Sequence, residues 1–201
     1  MQVLQFARDL AVPGIEVVSC GCLGACGSGP NVAVIPLDGT APLVLRHIST
    51  PQRAADMLRE VCCAQVDEAL LKATELRLAG NAAARSGDLK RACALYTVGL
   101  ELEPHAGRHL LLSNRSGVRL ELGDAEGALE DANSAAECAP PGFTTAAIRQ
   151  VEALLRLQRF RAAMECLLAA KQRHPGFSDT NDYQRCVADV CAALEAAEVQ
   201  P

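Results

Sequence analysis

Apolar residues recur at three- and four-residue spacing over most of this chain, and at two-residue spacing only near its start. Residues 1–11 carry the helical spacing and stop before the turn signal Pro13-Gly14. Residues 15–19 form a short β-branched run that reads as a strand. Residues 31–36 and 43–48 read as two further strands, and Asp38-Gly39 between them predicts a hairpin. Ser49 or Thr50 can then cap a helix with Pro51 at its first position. Ala54, Ala55, Leu58, Val61 and Cys62 fall along one face of that helix, and no helix breaker intervenes from Pro51 to Gly80. Beyond Val66 no strand signal survives.

The helical remainder repeats itself. Ala92, Ala128 and Ala163 recur after 36 and 35 residues, and Pro104, Pro140 and Pro175 recur in step. A unit of about 34 residues, with a small residue opening its second helix and a proline closing it, is the tetratricopeptide repeat. Insertions at 105–108 and 141–144 account for the excess. The first unit places Leu76, Ala79, Gly80 and Ala83 at the repeat's first-helix positions, then Ala92, Tyr96 and Pro104 at those of the second helix. The second unit uses Leu112, Arg115, Ser116, Arg119, Ala128, Ala132 and Pro140, and the third Ala147, Gln150, Val151, Leu154, Ala163, Leu167 and Pro175. Gly87-Asp88, Gly123-Asp124 and Gln158-Arg159 mark the turns within the pairs. The expected repeats cover about 73–106, 109–142 and 143–176, and the amphipathic segment 181–199 fits the capping helix that such stacks need.

Composition narrows the function classes. Half of the 201 residues are hydrophobic and 3 % aromatic, which favours close-packed helices, and the net charge of -5 gives no reason to expect a nucleic-acid partner. No run is long and apolar enough for membrane insertion, and no signal or transit pattern opens the chain. Seven of the ten cysteines fall on predicted helices and are expected to be reduced core residues.

The other three cysteines lie together in Cys20-Gly21-Cys22-Leu23-Gly24-Ala25-Cys26, where interleaved glycines let the backbone fold around something held by thiolates. With Gly29-Pro30-Asn31-Val32, the strand at 43–48 and the helix start at Ser49-Thr50-Pro51, this stretch resembles the thioredoxin-like [2Fe-2S] ferredoxins. It looks most like plastid proteins that join such a domain to helical repeats. The resemblance implies a chloroplast stroma setting, with the cytoplasm as the alternative, and it implies Cys22 and Cys26 as cofactor and metal ligands, with Cys20 as an extra thiol. The family draws a first cysteine pair from a loop after an initial strand, and neither is present after Met1. A cluster takes four thiolates. No cofactor is therefore expected in this chain, unless residues preceding Met1 or a second chain complete the set for a [2Fe-2S] cluster. Zinc held by Cys20, Cys22 and Cys26 with Cys62, Cys63 or a histidine such as His47 is a weaker fit to the spacing.

The repeats carry a second constellation. It resembles the co-chaperone tetratricopeptide domains that grip a partner's C-terminal carboxylates through Lys and Asn on the first helix, Asn on the third, and Lys and Arg on the fifth. The matching positions are Arg77, Asn81, Asn114, Thr145 and Arg149, so one Lys is lost, and Asn114-Arg115-Ser116 matches the third helix directly. Guanidinium groups suit carboxylate forks. Asn81 and Asn114 equally fit ordinary polar positions of the repeat. The acidic run Glu126, Glu130, Asp131 and Glu137 reads as a solvated face.

No nucleophile triad, paired acid–base carboxylates or phosphate loop is present, so no enzymatic activity is expected. The expected architecture is an α+β N-terminal unit over 1–65, a partial thioredoxin-like ferredoxin, followed over 66–201 by an all-α tetratricopeptide superhelix and its capping helix. The expected function is a protein–protein interaction adaptor that takes a protein or peptide partner, such as an acidic C-terminal tail, in assembly of a plastid complex. Electron transfer or redox sensing through a [2Fe-2S] cluster is the alternative.

Overall fold

The computed structural model describes residues 15–18, 31–36 and 41–199. The helix expected at 1–11 and the loop bearing Cys20, Cys22 and Cys26 lie outside the described residues. The chain divides into two units, Met1–Glu75 with Pro104–Gly107, and Leu76–Glu103 with Arg108–Pro201.

In the first unit the expected hairpin forms: β1 (Val32–Val34) pairs antiparallel with β2 (Leu43–Leu45), with Ala33 opposite Val44. The strands are shorter than the sequence pattern suggested. Residue 47, expected on the second strand, is instead left-handed with φ 60 and exposed. Residues 15–18 are not in a strand, so among the described residues the β part of the expected α+β unit reduces to this two-stranded sheet.

Helix α1 (Pro51–Cys62) starts as its sequence dictates. Thr50 accepts from the Arg53 backbone N–H at 3.2 Å, and Pro51, which has no N–H to leave unsatisfied, takes the first turn. Ala54, Ala55, Met57 and Leu58 are buried, packing with Ile48, Leu70 and Leu71, while Val61 and Cys62 are only half-buried. The uninterrupted helix expected to Gly80 is broken. Cys63 turns left-handed with φ 50, and its N–H closes on the Leu58 carbonyl. The next helix, α2 (Glu68–Arg85), is capped anew by Asp67, which accepts from the Leu70 N–H at 3.1 Å. That bond, more than the neighbouring His105, holds the Asp67 carboxyl below its ordinary range.

The second unit continues with α3 (Leu89–Glu101), α4 (Arg108–Glu121), α5 (Ala125–Cys138), α6 (Thr145–Arg156), α7 (Phe160–Arg173), a 3-10 turn (Pro175–Asp179) and α8 (Asn181–Val199). Its period has a packing cause. Ala92, Ala128 and Ala163 are each 0 % exposed, sitting where paired helices approach too closely for a longer side chain. Gly80 is the extreme case, because a Cβ there would overlap the Tyr96 ring. The turns are built alike: Gly87 and Gly123 are left-handed, and Asp88 and Asp124 then cap the following helices through the N–H groups of Arg91 and Gly127. In the third pair Gln158 takes the left-handed position at φ 58, and Arg159 caps without a side-chain bond. Ala79, on the first helix of its unit, and the closing residues Pro140 and Pro175 are exposed.

The expectation of seven core cysteines is corrected too. All seven described cysteines are free, but Cys186 alone is buried, Cys62, Cys93 and Cys166 are intermediate, and Cys63, Cys138 and Cys191 are exposed. Short apolar thiols tolerate either position, so helical spacing alone does not sort them.

Candidate functional site

Residues four apart on a helix share a face. Arg77 and Asn81 therefore rise together from α2, Thr145 and Arg149 from α6, and Asn114 from α4 between them. The structure brings the amides into contact. Asn81 Oδ1 accepts from Asn114 Nδ2 at 2.8 Å and from the Tyr96 hydroxyl at 2.7 Å. With its oxygen engaged twice, Asn81 has its amide N–H2 group left as its donor. Burial pushes the Tyr96 hydroxyl up, against the pull of the Arg77 and Arg85 guanidinium groups, so it stays a proton donor.

One turn along α4 from Asn114 stands Gly117. The Arg149 guanidinium carbon lies 3.0 Å from where a Cβ at Gly117 would be, so the bare backbone there is the seat of the guanidinium. Arg149 Nη1 donates to Glu152 at 2.6 Å, and its buried Nε has no hydrogen-bond partner. Asn81, Asn114 and Arg149 thus form one row across α2, α4 and α6. Arg77 is 8 % exposed, deeper than the sequence pattern implied. Thr145 is half-buried and supplies no charge.

Two members of this site were not singled out in the sequence. Gly117 had a signal, being a glycine inside a helix with no turn to make. Glu152 had the spacing of an i,i+3 partner to Arg149.

The acidic run divides. Glu126, Glu130 and Glu137 are exposed as expected, but Asp131 is only 2 % exposed and is no part of a solvated face. It accepts a fork from Arg115, Nε at 2.8 Å and Nη2 at 2.7 Å, and lies 3.1 Å from Arg119 Nη1. Arg115 also reaches Thr97 Oγ1 at 3.0 Å, and Arg119 donates to the Gly127 carbonyl at 2.8 Å. The Asp131 bond holds the Arg115 guanidinium above its ordinary value. Both guanidinium groups of this cluster are engaged within the fold.

Among the described residues no group of three His, Cys, Asp or Glu gathers to hold a metal, and no helix is long and apolar enough to cross a membrane. Among the described residues no such group surrounds Cys62 and Cys63, considered as zinc ligands with the cysteine loop. Burial and its neighbour Cys63 push the Cys62 thiol up, away from the thiolate a metal requires.

The helix pairs have the tetratricopeptide-repeat fold. The first such domain of Spaghetti (RPAP3), solved bound to the HSP90 peptide SRMEEVD, superposes with a TM-score of 0.54 at 23 % identity, over 62 % of this chain and 94 % of that one. The TPR2B domain of yeast Sti1, solved in a complex with an Hsp70 peptide, superposes with a TM-score of 0.56 at 25 % identity, over 63 % of this chain and 98 % of that one. The protein STIP1 homolog of Dictyostelium discoideum is 40 % identical over 92 residues, which is 46 % of this chain and 16 % of that protein's length. No protein-family model matches the sequence. The solved neighbours, then, are domains that bind peptide partners.

Proposed function

We propose that this chain is an interaction adaptor that holds the acidic C-terminal tail of a partner protein against the row formed by Asn81, Asn114 and Arg149, with Arg77 at its edge. The observation that carries this reading is the row itself: three donor side chains from three separate helices converge, and one of them, Arg149, keeps a buried N–H without an acceptor. A terminal carboxylate and an acidic side chain are the groups such donors recognise. The peptide complexes of Sti1 and Spaghetti point to chaperone tails as the first ligands to try.

The test is a fluorescence-anisotropy titration with labelled SRMEEVD. Arg149→Ala should weaken binding about five- to tenfold, as expected for loss of a charge-assisted bond. Unchanged affinity would overturn the reading. A plastid setting and a part in assembling a multi-subunit complex belong to the same proposal, and rest on the resemblance of the cysteine loop. Import into isolated chloroplasts of the protein translated from the native transcript tests the first of these, and protein retained outside would refute it.

A further inference from the structure

Arg149 differs from the other donors of the row because its charge is already partly answered within the chain. Glu152, one turn further along α6, accepts from its Nη1 at 2.6 Å, and both side chains are about one-third exposed, 33 % and 34 %. Gly117 supports the guanidinium from below and the Nε edge is buried without an acceptor. Thr145, one turn before Arg149, brings no second cation to this end. A half-buried i,i+3 ion pair within one helix holds only modestly, so the Glu152 carboxylate can be displaced. Until it is, a second carboxylate approaching Arg149 meets a like charge at the same fork. The same carboxylate faces α8, where after burial it is the largest influence pushing the Cys186 thiol up to about 11.

We propose that Glu152 is the specificity-determining residue of this groove, an internal carboxylate that occupies Arg149 in the free protein and that an acidic tail has to displace. It thereby sets how acidic a tail the groove accepts. This rests on the reading that the row binds a carboxylate.

Labelled SRMEEVD is titrated against the wild type, Glu152→Gln, Arg149→Ala and the double variant, with circular dichroism confirming that each is folded. Glu152→Gln should bind about fivefold more tightly, since removing a like charge from a binding site favours the ligand. In the Arg149→Ala background the same substitution should add nothing, because there is no fork left to compete for. Wild-type binding that Glu152→Gln leaves unchanged or weakens would overturn the competitor role while leaving the peptide-binding reading standing. No binding to any of the four proteins would overturn that reading and this inference with it.

Discussion

Helix α4 carries two polar clusters on different faces, starting from adjacent residues, and they differ in how completely they are satisfied. Arg115 and Arg119 close on the buried Asp131, with Thr97 Oγ1 and the Gly127 carbonyl taking further bonds. Asn114, one residue before Arg115, joins Asn81 and lines up with Arg149, whose buried Nε is left over. A buried charge network tolerates no missing partner, so the first cluster answers to folding. The second leaves Arg149 Nε without an acceptor, which costs stability, and on the proposed reading a ligand carboxylate approaches this end of the row. Charge and spacing alone do not separate the two. Burial and saturation do.

The sharpest way to break this contrast is to remove Asp131. Asp131→Ala leaves Arg115 without its carboxylate and Arg119 with only the longer contact to Asp124, 3.7 Å, and should cost about 3–5 kcal/mol in urea unfolding. A loss below about 1 kcal/mol would mean that the cluster is not structural. Gly80→Ala should cost about 1–3 kcal/mol by the same measurement, because the added methyl displaces the Tyr96 ring. It should weaken tail binding as well, since the Tyr96 hydroxyl orients Asn81. An unaffected stability would show that the ring has room to move. The turns give a smaller effect: Asp124→Ala removes a cap and should cost about 1 kcal/mol, whereas Arg159→Asp supplies the missing one and should raise stability by up to about 1 kcal/mol. Equal and opposite changes are not required, but the signs are. Least visible in unfolding is Asn114→Ala, which removes one part-buried hydrogen bond and should cost no more than about 1 kcal/mol, yet should bind severalfold more weakly in peptide titration. A large stability loss there would move Asn114 into the structural class with Arg115.

Much of the second unit is legible in the sequence, because close helix packing imprints itself directly as a period. A residue that must be as small as alanine at Ala92, Ala128 and Ala163, and a left-handed turn followed by a capping aspartate at Gly87-Asp88 and Gly123-Asp124, are local requirements visible in local sequence. The hairpin and the Thr50-Pro51 helix start were legible for the same reason. What failed depended on context. Cys63 takes a left-handed φ that its side chain does not advertise, so the break after α1 went unseen. Asp131 looked like one more charge in an acidic run, since its burial is decided by Arg115 and Arg119, one helix away. The row's outline was legible through the positions of Asn81, Asn114 and Arg149. Gly117 and Glu152, which seat and occupy the guanidinium, take their meaning from contacts with Arg149, Gly117 from a neighbouring helix and Glu152 within α6.

The central claim is that the row formed by Asn81, Asn114 and Arg149, in which Arg149 Nε has no acceptor, takes a carboxylate at a chain end. Its most direct test is to compare, by anisotropy at one salt concentration, SRMEEVD bearing a free C-terminal carboxylate with the same peptide ending in an amide. The account predicts that amidation weakens binding about tenfold or more. Equal affinities for the two peptides would contradict it.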